Sequence, residues 1–403
     1  MEIPREYNAA TWFVDRHVAE GRGARLAVIH EGGRLTYGDV AAGVNRLGNT
    51  LRRLGVQREQ RVMLLLYDSP EFVWSFWGAL KIGAVPIPTN TLLKPHDYEY
   101  ILRDSRAEVA IVSGALAPAL AEARPRAPAL KHIVVAGRAS AGELSYDDLA
   151  SAESPELGPA ETTKDDVAFW LYTSGTTGTP KAAVHLHHDM QVCCEAFGRH
   201  VLEIGPDDRT FSVAKLFFAY GLGNALYFPF HVGAATVLLP GRPEPARVFD
   251  VIARERPTLY YAVPTAYAAM LHAPDAGGSH DLGSVRLCIS AGEPLPKAIF
   301  ERWRERCEAR RTDMPPNILA DYLLKAGIGR ARFGQFDRAD DLLTTALRTA
   351  EQAGLHEFVF RVERIRNGLH DCNGACTPIA ALEPESRDDA VREVSKGLAL
   401  LRH

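Results

Sequence analysis

The sequence predicts an α/β fold, with parallel or mixed sheets that carry helices on both faces in two subdomains, followed by an all-α tail of helical-repeat type. Short apolar runs alternate with helix-spaced runs over the first three quarters of the chain, as in parallel sheets buried on both faces. After about residue 315 only helical spacing remains. Because 403 residues exceed one usual compact core, we expect four segments: residues 1–160, 161–312, 315–370 and 371–403.

The composition is that of a folded protein that binds small molecules. Hydrophobic residues make up 46% and charged residues 24% of the chain, and the formal net charge is −4. No basic excess is therefore present to hold a nucleic acid or an anionic membrane, and we expect neither as a partner. The six cysteines lack metal-ligand spacing and the first residues lack a secretory pattern, so we expect a cytoplasmic protein with reduced thiols.

The first segment begins with a predicted hairpin and helix. Two apolar runs, residues 26–29 and 35–37, flank a Glu-Gly-Gly-Arg sequence that is typical of a turn between strands. Apolar residues then recur at helical spacing from Val40 to Leu54, and Gly55 follows as a C-cap. A helix is therefore predicted directly after the hairpin.

Strands and helices continue to alternate after this helix. Residues 61–67 and 83–87 are apolar runs typical of buried strands, and residues 69–82 between them have helical spacing. Further strands are predicted at residues 109–112 and 132–135. This order predicts a parallel sheet in the first segment.

The second segment follows a polar, proline-containing boundary at residues 151–163 and opens with a strand predicted at residues 166–172. That strand leads into a loop of small and hydroxylated residues with one lysine: Thr173, Ser174, Gly175, Thr176, Thr177, Gly178, Thr179, Pro180 and Lys181. Such a loop exposes backbone N–H groups and hydroxyls without bulky side chains, which suits close approach of a triphosphate. The lysine adds a positive charge, although it does not follow the last glycine directly as in the common nucleotide-binding loop.

These residues resemble the acyl-adenylate-forming superfamily, and its benzoate–CoA ligase branch in particular. The loop from Thr173 to Lys181 resembles the phosphate loop of that family. Residues 35–37, 68–72 and 81–86 resemble its first subdomain. The resemblance covers about residues 3–311 and implies the N-terminal domain of an adenylate-forming ligase.

Two further segments resemble the family's ligand contacts. Residues 215–224 resemble the start of its aryl-binding helix, and the turn after a strand predicted at residues 285–290 resembles the loop that contacts adenosine. Both this turn and the phosphate loop follow the carboxyl end of a predicted strand, where open parallel sheets bind ligands. The resemblance thus implies an aryl-acid site at Ala219, Tyr220 and Gly221, and adenosine contacts at Gly292, Glu293 and Pro294. From composition alone, an aromatic core helix is the alternative for residues 217–220.

The resemblance implies a reaction in two steps that uses ATP, Mg²⁺ and CoA. An aromatic carboxylate attacks the α-phosphate of ATP to give an acyl-adenylate, and the CoA thiol then displaces AMP. The catalytic set is expected to be incomplete, because the family's later magnesium, ribose and adenylation motifs have no counterpart after Glu293. Only Lys181, as a phosphate-loop charge, is a candidate catalytic residue, and we expect a truncated ligase with little activity alone.

The tail resembles a single tetratricopeptide repeat. Small and larger apolar residues fall at the spacing of that repeat between Gly327 and Ala346. Because one repeat cannot bury its apolar face alone, we expect it to pack on the rest of the chain, to pack on a protein partner, or to stay loosely ordered. Residues 388–401 predict a final short helix, and the Cys372 to Cys376 segment predicts a turn rather than a metal or redox site.

Three questions stay open: the role of the histidines after the phosphate loop, the class of function, and the origin of the change near residue 312. His185, His187 and His188 follow the phosphate loop, but no second ligand cluster supports a metal, so helix-start or surface histidines are favoured and no metal site is expected. The chain is either an acid–CoA ligase of aromatic compound metabolism by descent or a non-catalytic binding or interaction scaffold. A gene fusion or frameshift is a third explanation of the change near residue 312.

Overall fold

The computed structural model describes residues 2–173, 179–273, 281–309, 316–332 and 334–371. The chain divides into two compact units, Met1–Glu308 and Ala309–His403. The strands of the first unit are β1 (Leu26–His30), β2 (Gly33–Thr36), β3 (Arg61–Leu65), β4 (Val85–Pro88), β5 (Val109–Ser113), β6 (His132–Ala136), β7 (Leu144–Ser145), β8 (Val167–Thr173), β9 (Lys181–Leu186), β10 (Arg209–Ser212), β11 (Ala235–Val237), β12 (Leu259–Ala262) and β13 (Leu287–Ser290).

Helices alternate with these strands. They are α1 (Arg16–Ala19), α2 (Tyr37–Arg53), α3 (Pro70–Lys81), α4 (Pro95–Ser105), α5 (Ala117–Ala123), α6 (Tyr146–Ser151), α7 (His187–Cys193), α8 (Ala219–Leu222), α9 (Phe228–Val232), α10 (Pro245–Glu255), α11 (Pro264–His272) and α12 (Lys297–Ala309). Among the helices of the described ranges, none has the length and apolar composition to cross a lipid bilayer.

A five-stranded parallel sheet forms in the order β4-β3-β5-β6-β7. Successive side chains of a strand point to opposite faces, and β3 shows this directly. Val62 and Leu64 join the core cluster under α2 and α3, whereas Met63 and Leu65 join the cluster under α4 and α5. The predicted parallel sheet with helices on both faces is confirmed.

A second, six-stranded sheet has the order β13-β12-β10-β11-β1-β2. All its strands are parallel except β2, which pairs antiparallel with β1. The predicted hairpin is therefore confirmed, and it supplies the edge of a sheet whose other strands lie in residues 209–290. The division at residue 160 stays a prediction, and this pairing crosses it.

The strand before the phosphate loop lies outside both parallel sheets, unlike the parallel-sheet position that the sequence predicts. Within the described ranges, β8 pairs only with β9, antiparallel, in a two-stranded sheet. Parallel strands need a crossover of a dozen or more residues, whereas seven residues separate these two strands. The short connection therefore makes β9 return alongside β8.

The predicted boundary at residues 151–163 is held along α2 by side chains. Asn49 Nδ2 donates to the carbonyl oxygens of Ser154 and Glu156, both at 2.9 Å. Asn45 Nδ2 donates to Pro155 O at 2.7 Å. These amides satisfy the carbonyl groups of a segment that has no regular secondary structure from residue 153 to 162.

The second unit is helical, as predicted. Its described residues form α13 (Pro316–Arg332), α14 (Phe336–Gln352) and α15 (His356–Asp371). Its core is formed by apolar side chains of all three helices: Leu323, Leu324, Leu343, Ala346 and Val362. Gly327 lets α13 approach α14, because an added Cβ would lie 2.8 Å from the Leu343 side chain. The predicted final helix and the Cys372 to Cys376 turn lie outside the described residues.

Candidate functional site

The carboxyl edge of the six-stranded sheet brings two of the predicted ligand segments together. The hydroxyl of Tyr220, in the segment after β10, donates to Ala262 O at the end of β12 (3.3 Å) and to Ile289 O near the end of β13 (3.2 Å). The backbone N–H of Ala291 donates to Ala262 O at 3.4 Å. Because the strands are parallel, the segment before α8 and the turn after β13 meet at one edge.

The three predicted aryl-site residues have different environments at the start of α8. Ala219 is exposed, Tyr220 is half-buried and Gly221 is buried. An added Cβ on Gly221 would overlap the carbonyl oxygens of Lys215 and Ala214, so a glycine is required there by backbone contact. Burial raises the pKa of Tyr220, which keeps its phenol protonated as a hydrogen-bond donor at neutral pH.

The predicted adenosine turn presents bare backbone to solvent. Gly292, Glu293 and Pro294 are exposed, and Gly292 has a φ of +89°, which favours glycine. An added Cβ at this position would lie 3.5 Å from the Val263 Cγ1, and no other described atom beyond its chain neighbours would come within 4 Å. Next to the turn, the Ser290 hydroxyl is buried and has no hydrogen-bond partner among the described residues. Accessible peptide groups fit a polar ligand such as a nucleoside.

The phosphate-loop hairpin lies on the separate two-stranded sheet. Thr173 and Lys181 are its last paired residues, both exposed, and the Thr173 hydroxyl donates to Lys181 O at 3.4 Å. The other predicted ATP contacts lie outside the described residues: Ser174, Gly175, Thr176, Thr177 and Gly178. Lys181 thus places a positive charge at the end of β9 that is open to solvent.

An ion pair at the start of the aryl segment, which we define as residues 215–224, was not predicted from the sequence. Lys215 Nζ lies 3.6 Å from Asp68 Oδ2 and donates to Leu239 O at 2.5 Å. Asp68 also accepts from the N–H of Leu216 at 3.0 Å. Burial raises the pKa of Asp68, and the Lys215 charge opposes this shift. The only sequence signal was that both residues lie in segments resembling the ligase family.

This ion pair borders a cavity of about 280 Å³. Its walls come from segments that follow β3, β4, β10 and β11, and they include Tyr67, Asp68, Thr91, Leu92, Lys215 and Phe217. The carboxyl edges of both parallel sheets therefore converge here, next to the aryl segment.

The histidines after the phosphate loop have structural roles in the hairpin and in α7. His187 is buried rather than on the surface, and its Nδ1 accepts from the N–H of Ala9 at 3.1 Å. The ring of His185 stacks on Phe169 at 4.5 Å. Within the described ranges, no three His, Cys, Asp or Glu side chains converge to hold a metal ion.

Comparisons with known proteins match the first three quarters of the chain. The family model described as "AMP-binding enzyme" matches residues 15–314. A 4-hydroxybenzoate–CoA/benzoate–CoA ligase of Rhodopseudomonas palustris is 46% identical over 302 residues, which are 75% of this chain and 56% of the relative. A benzoate–CoA ligase of Thauera aromatica is 46% identical over 307 residues, 76% of this chain and 58% of the relative.

A solved structure supports the same relationship at the level of the fold. The anthranilate CoA ligase AuaEII, crystallised with anthranoyl-AMP, superposes with a TM-score of 0.74 and 40% identity. The superposition covers 76% of this chain and 60% of that protein. The chain thus spans somewhat over half of the length of the relatives that it matches.

Proposed function

Because the chain belongs to the AMP-binding enzyme family, we propose that it binds ATP and an aromatic carboxylate and takes part in forming an aryl–CoA thioester. The observation that carries the proposal is the junction at the sheet edge, where the Tyr220 hydroxyl joins the aryl segment to the strands that precede the adenosine turn. The names of the relatives support a benzoate-type acid as the substrate.

The described residues have separate roles in this proposal. Lys181 supplies a positive charge for the phosphates of ATP, next to Thr173. The exposed backbone from Gly292 to Pro294 takes the adenosine. Tyr220 holds the wall of the acid site in place rather than reacting, because its hydroxyl is engaged by two carbonyl groups.

The proposed reaction consists of two transfers. A carboxylate oxygen of the acid bonds to the α-phosphorus of ATP. The bond between this phosphorus and the oxygen that bridges to the β-phosphate breaks, and pyrophosphate leaves. The CoA sulfur then bonds to the acyl carbon, its proton passes to solvent, and AMP leaves. The protein contributes mainly positioning and charge stabilisation, for which preorganised groups such as Lys181 and the bare backbone of the turn are suited.

Mg²⁺ and CoA are proposed from the family. Mg²⁺ is commonly held by substrate phosphates plus one or two carboxylates, so ATP itself would supply most of its ligands. The bound ion would neutralise phosphate charge. We propose the cytoplasm as the location from the cysteine usage of the sequence.

Calorimetric titration with ATP–Mg²⁺, and separately with benzoate, tests this proposal. Lys181→Ala is expected to raise the ATP dissociation constant about tenfold, because a charge-assisted contact is lost. Tyr220→Phe is expected to raise the benzoate dissociation constant about threefold, because the wall of the acid site loses the hydrogen bond that this hydroxyl shares between two carbonyl groups. Release of pyrophosphate and AMP on adding CoA would then show turnover.

Lys131→Ala is the matched control. Lys131 precedes β6, at the amino edge of the five-stranded sheet, and pairs with Glu108 on the surface. ATP binding should be unchanged in this variant. Equal loss in both lysine variants, or no ATP binding by the folded wild type, contradicts the proposed nucleotide site.

The second unit favours an additional, non-catalytic role. Small residues lie where α13 and α14 meet, including Gly327, Ala339 and Ala346, as in the helix pairs of tetratricopeptide repeats. We propose a repeat-like interaction module for a protein partner. A folded wild type that binds neither ATP nor benzoate would favour this scaffold role as the main function.

A further inference from the structure

We infer that Tyr100 and Asp104 of α4 are positioning residues that hold the phosphate-loop hairpin at the two points where the chain enters and leaves the loop. The inference rests on the proposed function, because it assigns these residues to nucleotide binding. Neither residue belongs to the hairpin. Their partners are Tyr172, in β8, and Pro180, directly before β9.

Asp104 holds the β8 side of the hairpin. The Tyr172 hydroxyl donates to Asp104 Oδ2 at 2.6 Å, a short distance typical of a hydroxyl bonded to a carboxylate. Burial raises the pKa of Tyr172, and the bond to Asp104 adds to this shift. The phenol therefore remains a donor at neutral pH, one residue before Thr173.

Tyr100 holds the β9 side. Its hydroxyl donates to Pro180 O at 3.0 Å, one residue before Lys181. Tyr100 and Asp104 are four residues apart on one helix, so they lie on the same face. A single helix face thus contacts the chain on both sides of the Thr173–Lys181 pair.

The helix is itself anchored in the core. Tyr98, Ile101 and Leu102 are nearly fully buried in the cluster on one face of the five-stranded sheet. Arg61 extends the contact, because its Nε donates to Ser105 O at 2.7 Å and its guanidinium lies over the Trp170 ring at 5.6 Å. α4 is therefore a rigid support.

The hairpin needs such a support. An isolated two-stranded sheet is marginally stable in water, and packing against a helix is one way to stabilise it. Among the described residues, β8 and β9 pair only with each other. Ala168, Phe169 and Leu171 of β8 are buried in the core, but Thr173 and Lys181 at the loop end are exposed. Without the two hydroxyl contacts, Thr173 and Lys181 would sample more orientations, and a nucleotide would bind at the cost of ordering them.

Hydrogen exchange in the ligand-free protein tests the support directly. Tyr100→Phe and Asp104→Ala are expected to speed exchange of amides in β8 and β9 about tenfold, because local opening becomes easier. Tyr98→Phe is the matched control. It removes a tyrosine hydroxyl from the same helix, but that hydroxyl donates to Asn90 O at 3.2 Å, away from the hairpin.

ATP titration tests the functional part. Each of Tyr100→Phe, Asp104→Ala and Tyr172→Phe should raise the ATP dissociation constant about fivefold, with an unchanged melting temperature. The Asp104→Ala/Tyr172→Phe double variant should be no weaker than either single variant, because both remove the same bond. Asp104→Asn keeps an acceptor and should recover part of the affinity.

The outcomes separate this inference from the proposed function. Unchanged exchange and unchanged ATP affinity in the α4 variants, with ATP bound by the wild type, overturn the positioning role alone. A wild type that binds no ATP overturns the proposed function and the nucleotide part of the inference, while the exchange rates still decide whether α4 supports the hairpin. Additive effects in the double variant contradict the direct Tyr172–Asp104 link.

Discussion

At the scale of single residues, the pair formed by Asp68 and Lys215 joins segments that follow strands of different sheets. Asp68 comes after β3 and is 2% exposed, and Lys215 comes after β10. A buried carboxylate is costly unless it is paired and hydrogen-bonded, and here it has both a cation and the Leu216 N–H. The pair thus fixes the start of the aryl segment against the five-stranded sheet.

Removing the cation from this pair should destabilise the protein. Lys215→Met is expected to lower the free energy of unfolding by about 3 kcal/mol, because Asp68 would stay buried without its partner. Urea denaturation followed by tryptophan fluorescence measures this change, since all five tryptophans lie before residue 309. Asp68→Asn/Lys215→Met is the control and should recover part of the loss, because the amide oxygen still accepts from Leu216. A single variant within about 0.5 kcal/mol of the wild type would contradict the role of the pair.

At the scale of elements, the contact between α13 and α14 depends on one glycine. An added Cβ on Gly327 would lie 2.8 Å from the Leu343 side chain and 3.3 Å from Ala339 O. An added Cβ on Gly329 would have no described atom within 4 Å beyond its own helix backbone and chain neighbours. Both positions lie inside α13, where alanine is a better helix former than glycine by about 1 kcal/mol. The two sites therefore separate packing from helix propensity.

Gly327→Ala and Gly329→Ala should have effects of opposite sign on the second unit. Gly327→Ala is expected to destabilise it by about 1–3 kcal/mol through overpacking. Gly329→Ala is expected to stabilise it by up to about 1 kcal/mol. Thermal unfolding followed by circular dichroism at the helix band reports the change. Equal effects at the two positions would show that α13 and α14 are not in close contact at Gly327.

The elements that the sequence predicts are those with a strong local pattern. β3, α2 and α3 have long apolar runs or clear helical spacing, and the structure contains them within a few residues of the predicted limits. β10 and β11, of four and three residues, are too short to show a period. α4 had a signal in Tyr98, Ile101 and Ser105, which lie on one face, but charged residues between them hide the apolar spacing.

The contacts of the candidate site depend on pairs of residues that are distant in the chain. Tyr172 and Asp104 are 68 residues apart, and Tyr220 and Ile289 are 69 apart. Spacing within a segment cannot show which loops meet. The sequence pattern of β8 does not show which strand it pairs with, so its antiparallel pairing with β9 could not be predicted.

At the scale of the whole first unit, two buried histidines join the N-terminal segment to later parts of the chain. The Arg22 Nε donates to His17 Nδ1 at 3.1 Å, so His17 Nε2 carries the proton that it donates to Phe230 O at 2.5 Å. His187 Nδ1 accepts from Ala9, and its Nε2, which then carries the proton, is buried without a hydrogen-bond partner among the described residues. Both rings are therefore neutral in the folded state.

The free energy of unfolding should fall as the pH drops below about 6.5, because the His17 and His187 rings then bind protons in the unfolded state but not in the folded state. Burial lowers the pKa of His17 and of His187 from 6.5 to about 4. Their contribution is present above pH 6.5 and is lost as the pH falls toward 4, by on the order of 3 kcal/mol for each ring. Urea denaturation at pH 7.0 and pH 5.0 measures the difference.

A neutral replacement isolates these two rings from the carboxylates that titrate in the same range. His17→Gln/His187→Gln removes both titrations, so its stability should depend less on pH than that of the wild type, although it is less stable at pH 7. His96→Gln is the control, since the His96 side chain is 72% exposed. The double variant retains acid sensitivity equal to the wild type only if the histidines titrate alike in both states. In that case the carboxylates alone would account for acid unfolding, and the two rings would not contribute to it.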